Sequence, residues 1–265
     1  MCTILFMHRV HPDHPLIIAA NRDERHDRSS QPPGILDGEP AALAGLDRQA
    51  GGTWMGANAV GIAVGITNQR TYAAPDPDAP SRGQVVREAL AARTLDEIDQ
   101  QLRRIDCRRY NPFNLLFGNA ERVRLAYARR EQRAIEIVDA PTGVHVLPND
   151  RLGADGFPKA QRAVELATAI AHEHWSQLAG GLGAVLGDHA LPDIAQVARP
   201  PAGSIHSLEL LHRYQAICIH GEAYGTRSCT VMALSPGRVD HYLFADGPPC
   251  SAPFVDYAHT LRAGV

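Results

Sequence analysis

Apolar residues come in short runs separated by dense polar punctuation. Residues 2–7 (Cys-Thr-Ile-Leu-Phe-Met) form the first run and 16–20 (Leu-Ile-Ile-Ala-Ala) the second. His11-Pro12-Asp13-His14-Pro15 turns the chain between them, so the pattern predicts two strands paired as a hairpin. The second strand closes on Asn21, Arg22, Asp23, Glu24 and Arg25, a polar cluster at a strand terminus. Residues 26–52 are rich in Pro, Gly, Asp and Ser and predict loop. A short strand follows at 53–56; Asn58 turns the chain, and 61–68 is the hairpin partner. Glycines along that partner suggest close backbone approach.

The period then changes. Ser81 can cap a helix starting near Gly83, and Leu95, Ile98, Leu102 and Ile105 recur at helical spacing, so 82–105 predicts two amphipathic helices. Residues 114–118, 123–127, 135–138 and 144–147 read as a strand meander ending at Pro148-Asn149-Asp150. Residues 158–175 carry the strongest helical pattern, with Ala160, Val164, Leu166, Ala167, Ile170 and Ala171 on one face; 176–186 and 207–213 are also helical. Strands return at 215–220, at 228–234 opened by Arg227, and at 238–244; the tail after Gly247 is irregular. Strand and helix blocks are segregated, without βαβ alternation, a GxGxxG or Walker sequence, or an internal repeat. This predicts an α+β protein of two mainly antiparallel sheets face to face, with helices 82–105 and 158–186 outside.

The 265 residues are read as one domain, 1–265, with 45% hydrophobic content, enough for a full core. A net charge of -3 without a basic stripe argues against a nucleic-acid partner. The apolar runs are too short for an integral membrane segment, and His8, Arg9, His11 and Asp13 interrupt the N-terminal run early, so a cytoplasmic location is expected. Cys2, Cys107, Cys218, Cys229 and Cys250 are scattered without a CxxC pair and are expected to be free thiols, with Cys218 and Cys229 packed in strands. His172-Glu173-His174 has metal-like residue types, but two histidines two apart on a helix face different sides. His206 and His212 read as solvated helix residues. No metal and no cofactor are expected, and the oligomeric state stays open.

Cys2 changes the chemistry. Removal of Met1 would leave one residue bearing a thiol, pKa about 8.5, and an α-amine, about 7.7–8.0. An N-terminal amine can act as the base for its own side-chain nucleophile.

Five segments in order carry a resemblance: Met1-Cys2-Thr3-Ile4, Asn21-Arg22-Asp23-Glu24, Thr67-Asn68, Asn111-Pro112-Phe113-Asn114-Leu115-Leu116 and Tyr224-Gly225-Thr226-Arg227-Ser228. The chain resembles the NRDE family, that of the transport and Golgi organisation protein 2, from residue 2 to about 245. The resemblance implies the N-terminal-nucleophile hydrolase fold, a four-layer αββα sandwich. It extends, more distantly, to the choloylglycine hydrolase and penicillin V acylase group, which cuts amides with an N-terminal cysteine. It implies Cys2 as nucleophile, Asp23 orienting its amine, Asn68 and Asn149 as oxyanion donors, and Arg227 beside the cysteine. Asn21, Arg22, Arg82 and Asn114 are candidate substrate-binding residues, Arg82 because it opens a helix where an anion is favoured. One position departs: those enzymes carry an arginine just before the tetrapeptide, where this chain has Ala20, and Arg22 is read as pointing to the other face of the strand. Two functions are implied. One is a hydrolase of a linear amide or acyl compound. The other is a non-catalytic protein binding or trafficking haem, lipid or acyl-coenzyme A. The expected partner is a small-molecule amide, acyl or haem-like ligand.

Overall fold

The computed structural model describes residues 3–263. Alternation along two strands sorts the core into layers. In β1 (Thr3–His8), Ile4 and Phe6 face one way and Leu5 and Met7 the other; β2 (Leu16–Arg25) opposes Leu16, Ile18 and Ala20 to Ile17 and Ala19. All of these are buried, because each face of the strands is covered.

One sheet has six strands in the order β10 (Gly143–Leu147), β1, β2, β11 (Tyr224–Ser235), β12 (Arg238–Ala245) and β13 (Val255–Asp256). The other has seven in sequence order: β3 (Ser30–Leu36), β4 (Ala42–Asp47), β5 (Met55–Asn58), β6 (Ala63–Asn68), β7 (Phe113–Gly118), β8 (Val123–Ala128) and β9 (Glu136–Asp139). Every pairing is antiparallel.

Between the sheets, Ile4, Phe6 and Ile18 meet Leu43, Met55, Leu116 and Leu125. A Cβ at Gly65 would lie 2.6 Å from Met55 Cε and 3.1 Å from Ile4 Cδ1, so that glycine lets the layers close. The helices α1 (Arg82–Leu90) and α2 (Leu95–Arg103) press Val86, Leu90, Ile98 and Leu102 onto the outer face of the seven-stranded sheet. Opposite them, α3 (Pro158–Ile170) and α4 (Trp175–Leu186) press Ala163, Ala167, Leu178 and Leu182 onto Leu5, Met7, Ile17 and Val231. The order is helix, sheet, sheet, helix, as the block pattern predicts. Two short helices, α5 (Leu208–Arg213) and α6 (Ala258–Ala263), complete the described chain.

Several local expectations are corrected. The loop expected over 26–52 holds β3 and β4. β3 is an edge strand whose register shifts between Gln31 and Gly34, the setting in which Pro32 and Pro33 cost no ladder bond. The strand expected over 215–220 is a turn: its apolar residues are buried by packing, and Cys218 N donates to Asp188 O rather than to a ladder. The helix expected to 175 stops at Ile170, and α4 begins at Trp175. β10 leaves the meander and pairs with β1 in the other sheet. The tail forms β13 and α6. Ser81 sits at the N-cap of α1 without a side-chain capping bond; its carbonyl accepts from Gln84 N instead.

Candidate active site

The strand ends at one edge of the sandwich build a cleft of about 340 Å³, to which Arg22, Asp23, Asn68 and Arg82 all contribute. A pocket of about 180 Å³ adjoins it; Asn68 and Arg82 line both, and Asn149 lines the second. Asp23 comes from the six-stranded sheet and Asn68 from the seven-stranded one, so the site forms where the two sheets part.

Asp23 is 3% exposed. Burial raises its carboxyl above the ordinary aspartate range, while the Lys159 charge and the Thr226 hydroxyl pull it back. Thr226 Oγ1 donates to Asp23 Oδ1 at 2.7 Å, and Tyr224 Oη donates to the Asp23 carbonyl at 2.9 Å. Both residues reach Asp23 because β11 runs antiparallel to β2 with Thr226 opposite Asp23. The register then shifts before Ser228, which pairs with Arg22, leaving Arg227 as the bulged residue. Arg227 lines neither cavity; its guanidinium lies 3.4 Å from His26 Nδ1 in an exposed contact.

Asn68 is exposed to the cleft, and its side-chain amide has no recorded partner among the described residues. Asn149 is fully buried: its Nδ2 donates to Asn68 O at 2.8 Å, and its carbonyl accepts from Arg70 N at 2.6 Å. One Asn149 amide proton thus fixes the end of β6, and a second is left over.

The four expected substrate contacts divide. Arg22 lines the cleft, with its guanidinium 4.4 Å above the Trp54 ring and NH1 3.3 Å from Ser30 Oγ. Arg22 and Ala20 face the same way, towards the seven-stranded sheet, because residues two apart in a strand share a face; the opposite orientation is corrected. Arg82 opens α1, donates to Pro112 O at 3.3 Å and lines both cavities. Asn21 and Asn114 line neither. Asn21 faces the α3/α4 layer and donates to Leu186 O and Ile217 O at 2.8 and 2.9 Å. Asn114 ties β7 to Thr67 Oγ1 of β6 and to Pro148 O and Asp150 O in the turn after β10, at 3.0–3.2 Å. These two amides are engaged inside the protein, and their placement supports the site rather than opening onto it. Cys2 lies outside the described residues.

Lys159, Thr226 and Tyr224 are absent from the sequence-derived site. Lys159 is the only lysine of the chain and is 1% exposed in the first turn of α3, where its charge acts on Asp23. That single lysine among 26 basic residues is the compositional signal that could have drawn attention to it.

Solved structures of similar shape define the class. The chain superposes on penicillin V acylase from Agrobacterium tumefaciens with a TM-score of 0.55 at 15% identity, covering 97% of this chain and 86% of that one. It superposes on a C2A mutant of conjugated bile acid hydrolase from Clostridium perfringens with a TM-score of 0.56 at 13% identity, covering 97% and 92%. For the Caenorhabditis elegans N-acylethanolamine-hydrolyzing acid amidase ortholog the TM-score is 0.54 at 11% identity, covering 89% and 93%. The fold is that of the N-terminal-nucleophile hydrolases. The Transport and Golgi organisation 2 family model matches residues 1–242, and the chain belongs to that family. It is 30% identical over 254 residues to the Bos taurus Transport and Golgi organization protein 2 homolog and 29% identical over 256 residues to the Mus musculus homolog, with 88% of each chain covered.

Proposed function

We propose that this protein is a cysteine amidohydrolase that cleaves a small linear amide or related acyl compound, with Cys2 as the nucleophile. The observation that carries this reading is the convergence of Asp23 and Asn68, from different sheets, on one cleft, with Asn149 tied to the Asn68 backbone. Cys2 directly precedes Thr3 in the sequence. Thr3 pairs with Asn21, two residues from Asp23. Burial pushes the thiols of Cys107, Cys218 and Cys229 upward, which argues against any of these as the nucleophile.

In the proposed reaction the freed α-amine takes the thiol proton and the thiolate attacks the amide carbonyl. Asn68, with the remaining Asn149 proton, donates to the developing oxyanion; such a donor is worth about 3–4 kcal/mol. Asp23 accepts from the ammonium and orients it. Collapse of the intermediate breaks the C–N bond, the ammonium returns its proton to the leaving amine, and water then hydrolyses the thioester. Arg22, Arg28 and Arg82 line the cleft together with Asp23, Glu24 and Asp47, so it presents both signs of charge and suits a substrate with a polar end. No described helix is long and apolar enough to cross a membrane, and a cytoplasmic setting belongs to this reading.

The test joins intact mass, labelling with an acyl electrophile and peptide mapping. Met1 should be absent and the label should fall on Cys2, disappearing in Cys2→Ala. Retained Met1, or labelling of Cys2 no faster than of Cys107, would sink the hydrolase and leave ligand carriage as the function.

A further inference from the structure

Apart from the cleft, four side chains from distant parts of the chain meet at one point: His189, Cys218, His220 and Cys250, whose donor atoms all lie within 4.8 Å of one another. His189 follows α4, Cys218 and His220 occupy the turn before β11, and Cys250 lies in the loop after β12. We infer that this quartet, two cysteines and two histidines, is a site for a thiophilic, tetrahedral divalent cation of the zinc kind.

The geometry is the first reason. A tetrahedral ion with bonds of about 2.3 Å to sulfur and 2.0–2.1 Å to nitrogen sets ligand edges of roughly 3.3–3.8 Å. The Cys218 and Cys250 Sγ atoms are 3.9 Å apart; His220 Nε2 is 3.8 Å from the first and 3.3 Å from the second. The second reason is the support of a ligand. His189 Nδ1 lies 3.1 Å from the Cys218 carbonyl, which can only accept, so Nδ1 carries the proton and Nε2 keeps its lone pair. Metal-bound histidines are commonly oriented by such a bond. The third is charge. A divalent ion entering releases both S–H protons to solvent, each sulfur gives its electron pair to the metal, and two thiolates balance the charge without any redox change.

The site would staple three loops and steady the cleft from behind. Ile219, between two of the ligands, receives Thr226 N on its carbonyl at 2.8 Å and donates its own N to Thr226 Oγ1 at 2.9 Å. That hydroxyl is the one donating to Asp23. His172 and His174, the pair with metal-like residue types in the sequence, are exposed and take no part in the quartet.

The experiment loads the full chain with Zn²⁺ under reductant, removes excess by gel filtration and counts metal by elemental analysis. Wild type should hold about one zinc per chain. Cys250→Ser and His189→Gln should each weaken zinc at least ~100-fold, since loss of a supporting partner alone costs ~10–100-fold. Cys107→Ser and His172→Gln should bind as wild type. Co²⁺ loading should give the sulfur-to-metal charge-transfer band and intense visible bands of a tetrahedral thiolate site, both lost in Cys250→Ser. A wild-type chain that elutes without zinc, or variants that bind zinc equally well, would overturn the site. So would a count two thiols short in the purified wild type, which would assign Cys218 and Cys250 to a disulfide.

Discussion

The two ends of β6 show two ways of treating a buried amide. Before its start, at the last position of β5, Asn58 is 0% exposed and every group of its side chain is used: Nδ2 donates to Leu90 O and Ala92 O, and Oδ1 accepts from Ile62 N, at 2.8–3.0 Å. At its end, Asn149 is equally buried, yet one donor bonds Asn68 O and Oδ1 has no partner among the described residues. The first asparagine closes a hairpin against α1. The second retains capacity in the wall of the pocket that adjoins the cleft lined by Asp23. Full satisfaction marks a structural amide, and spare capacity in a pocket wall marks a place where a ligand can complete the bonding.

Breaking the charged end should cost most. Lys159→Met should lower stability by about 3 kcal/mol or more, because it removes the charge that offsets the burial of Asp23. Adding Asp23→Asn to that variant should recover part of the loss in a denaturant titration; additive losses would show that the two charges are not coupled.

The amide comparison is sharpened by a matched pair. Asn58→Ala should cost about 2–3 kcal/mol and leave labelling of Cys2 unchanged. Asn68→Ala should leave stability within about 0.5 kcal/mol and cut turnover ~10²–10³-fold. Equal stability losses for the two would erase the distinction between the ends.

If Arg227 reaches the thiol as the family resemblance implies, Arg227→Met should slow alkylation of Cys2 by iodoacetamide a few-fold and leave Cys107 unchanged, since a cation beside a thiol favours thiolate. An unchanged Cys2 rate would confine Arg227 to its exposed contact with His26.

The smallest effect is a difference in sign. Asp23 is raised in the folded protein by burial, so its contribution is present below the unfolded value of about 3.9 and is lost as pH rises through the raised value. Asp47, also on the cleft, is lowered: the Arg28 guanidinium and the Gln49 and Ala50 amides outweigh its burial. Its contribution is present above about 3.9 and is lost as pH falls through the lowered value, by roughly 1 kcal/mol or less. Stability measured against pH for Asp23→Asn and Asp47→Asn should therefore tilt in opposite directions relative to wild type, and parallel curves would contradict one assignment.

The sequence by itself determined the layers. Continuous apolar runs at 2–7 and 16–20, bounded by turn residues, and period 3.6 in 82–105 and 158–186 are local signals: the first marks a strand buried on both faces, the second the face a helix must bury. The same locality explains the failures. Residues 30–36 and 42–47 became strands because an existing sheet offered them an edge, and 215–220 did not because buried apolar residues need no ladder. The polar cluster 21–25 was visible as a cluster, but its division was not. The pleat sends Asn21 to the helical layer and Arg22 to the cleft, and only the facing elements settle what each meets. Tertiary structure alone brought Lys159 to Asp23 across 136 residues, tied Asn149 to Asn68 across 81, and gathered His189, Cys218, His220 and Cys250. Those pairings depend on which strand ends share an edge, and no periodicity in the chain encodes that.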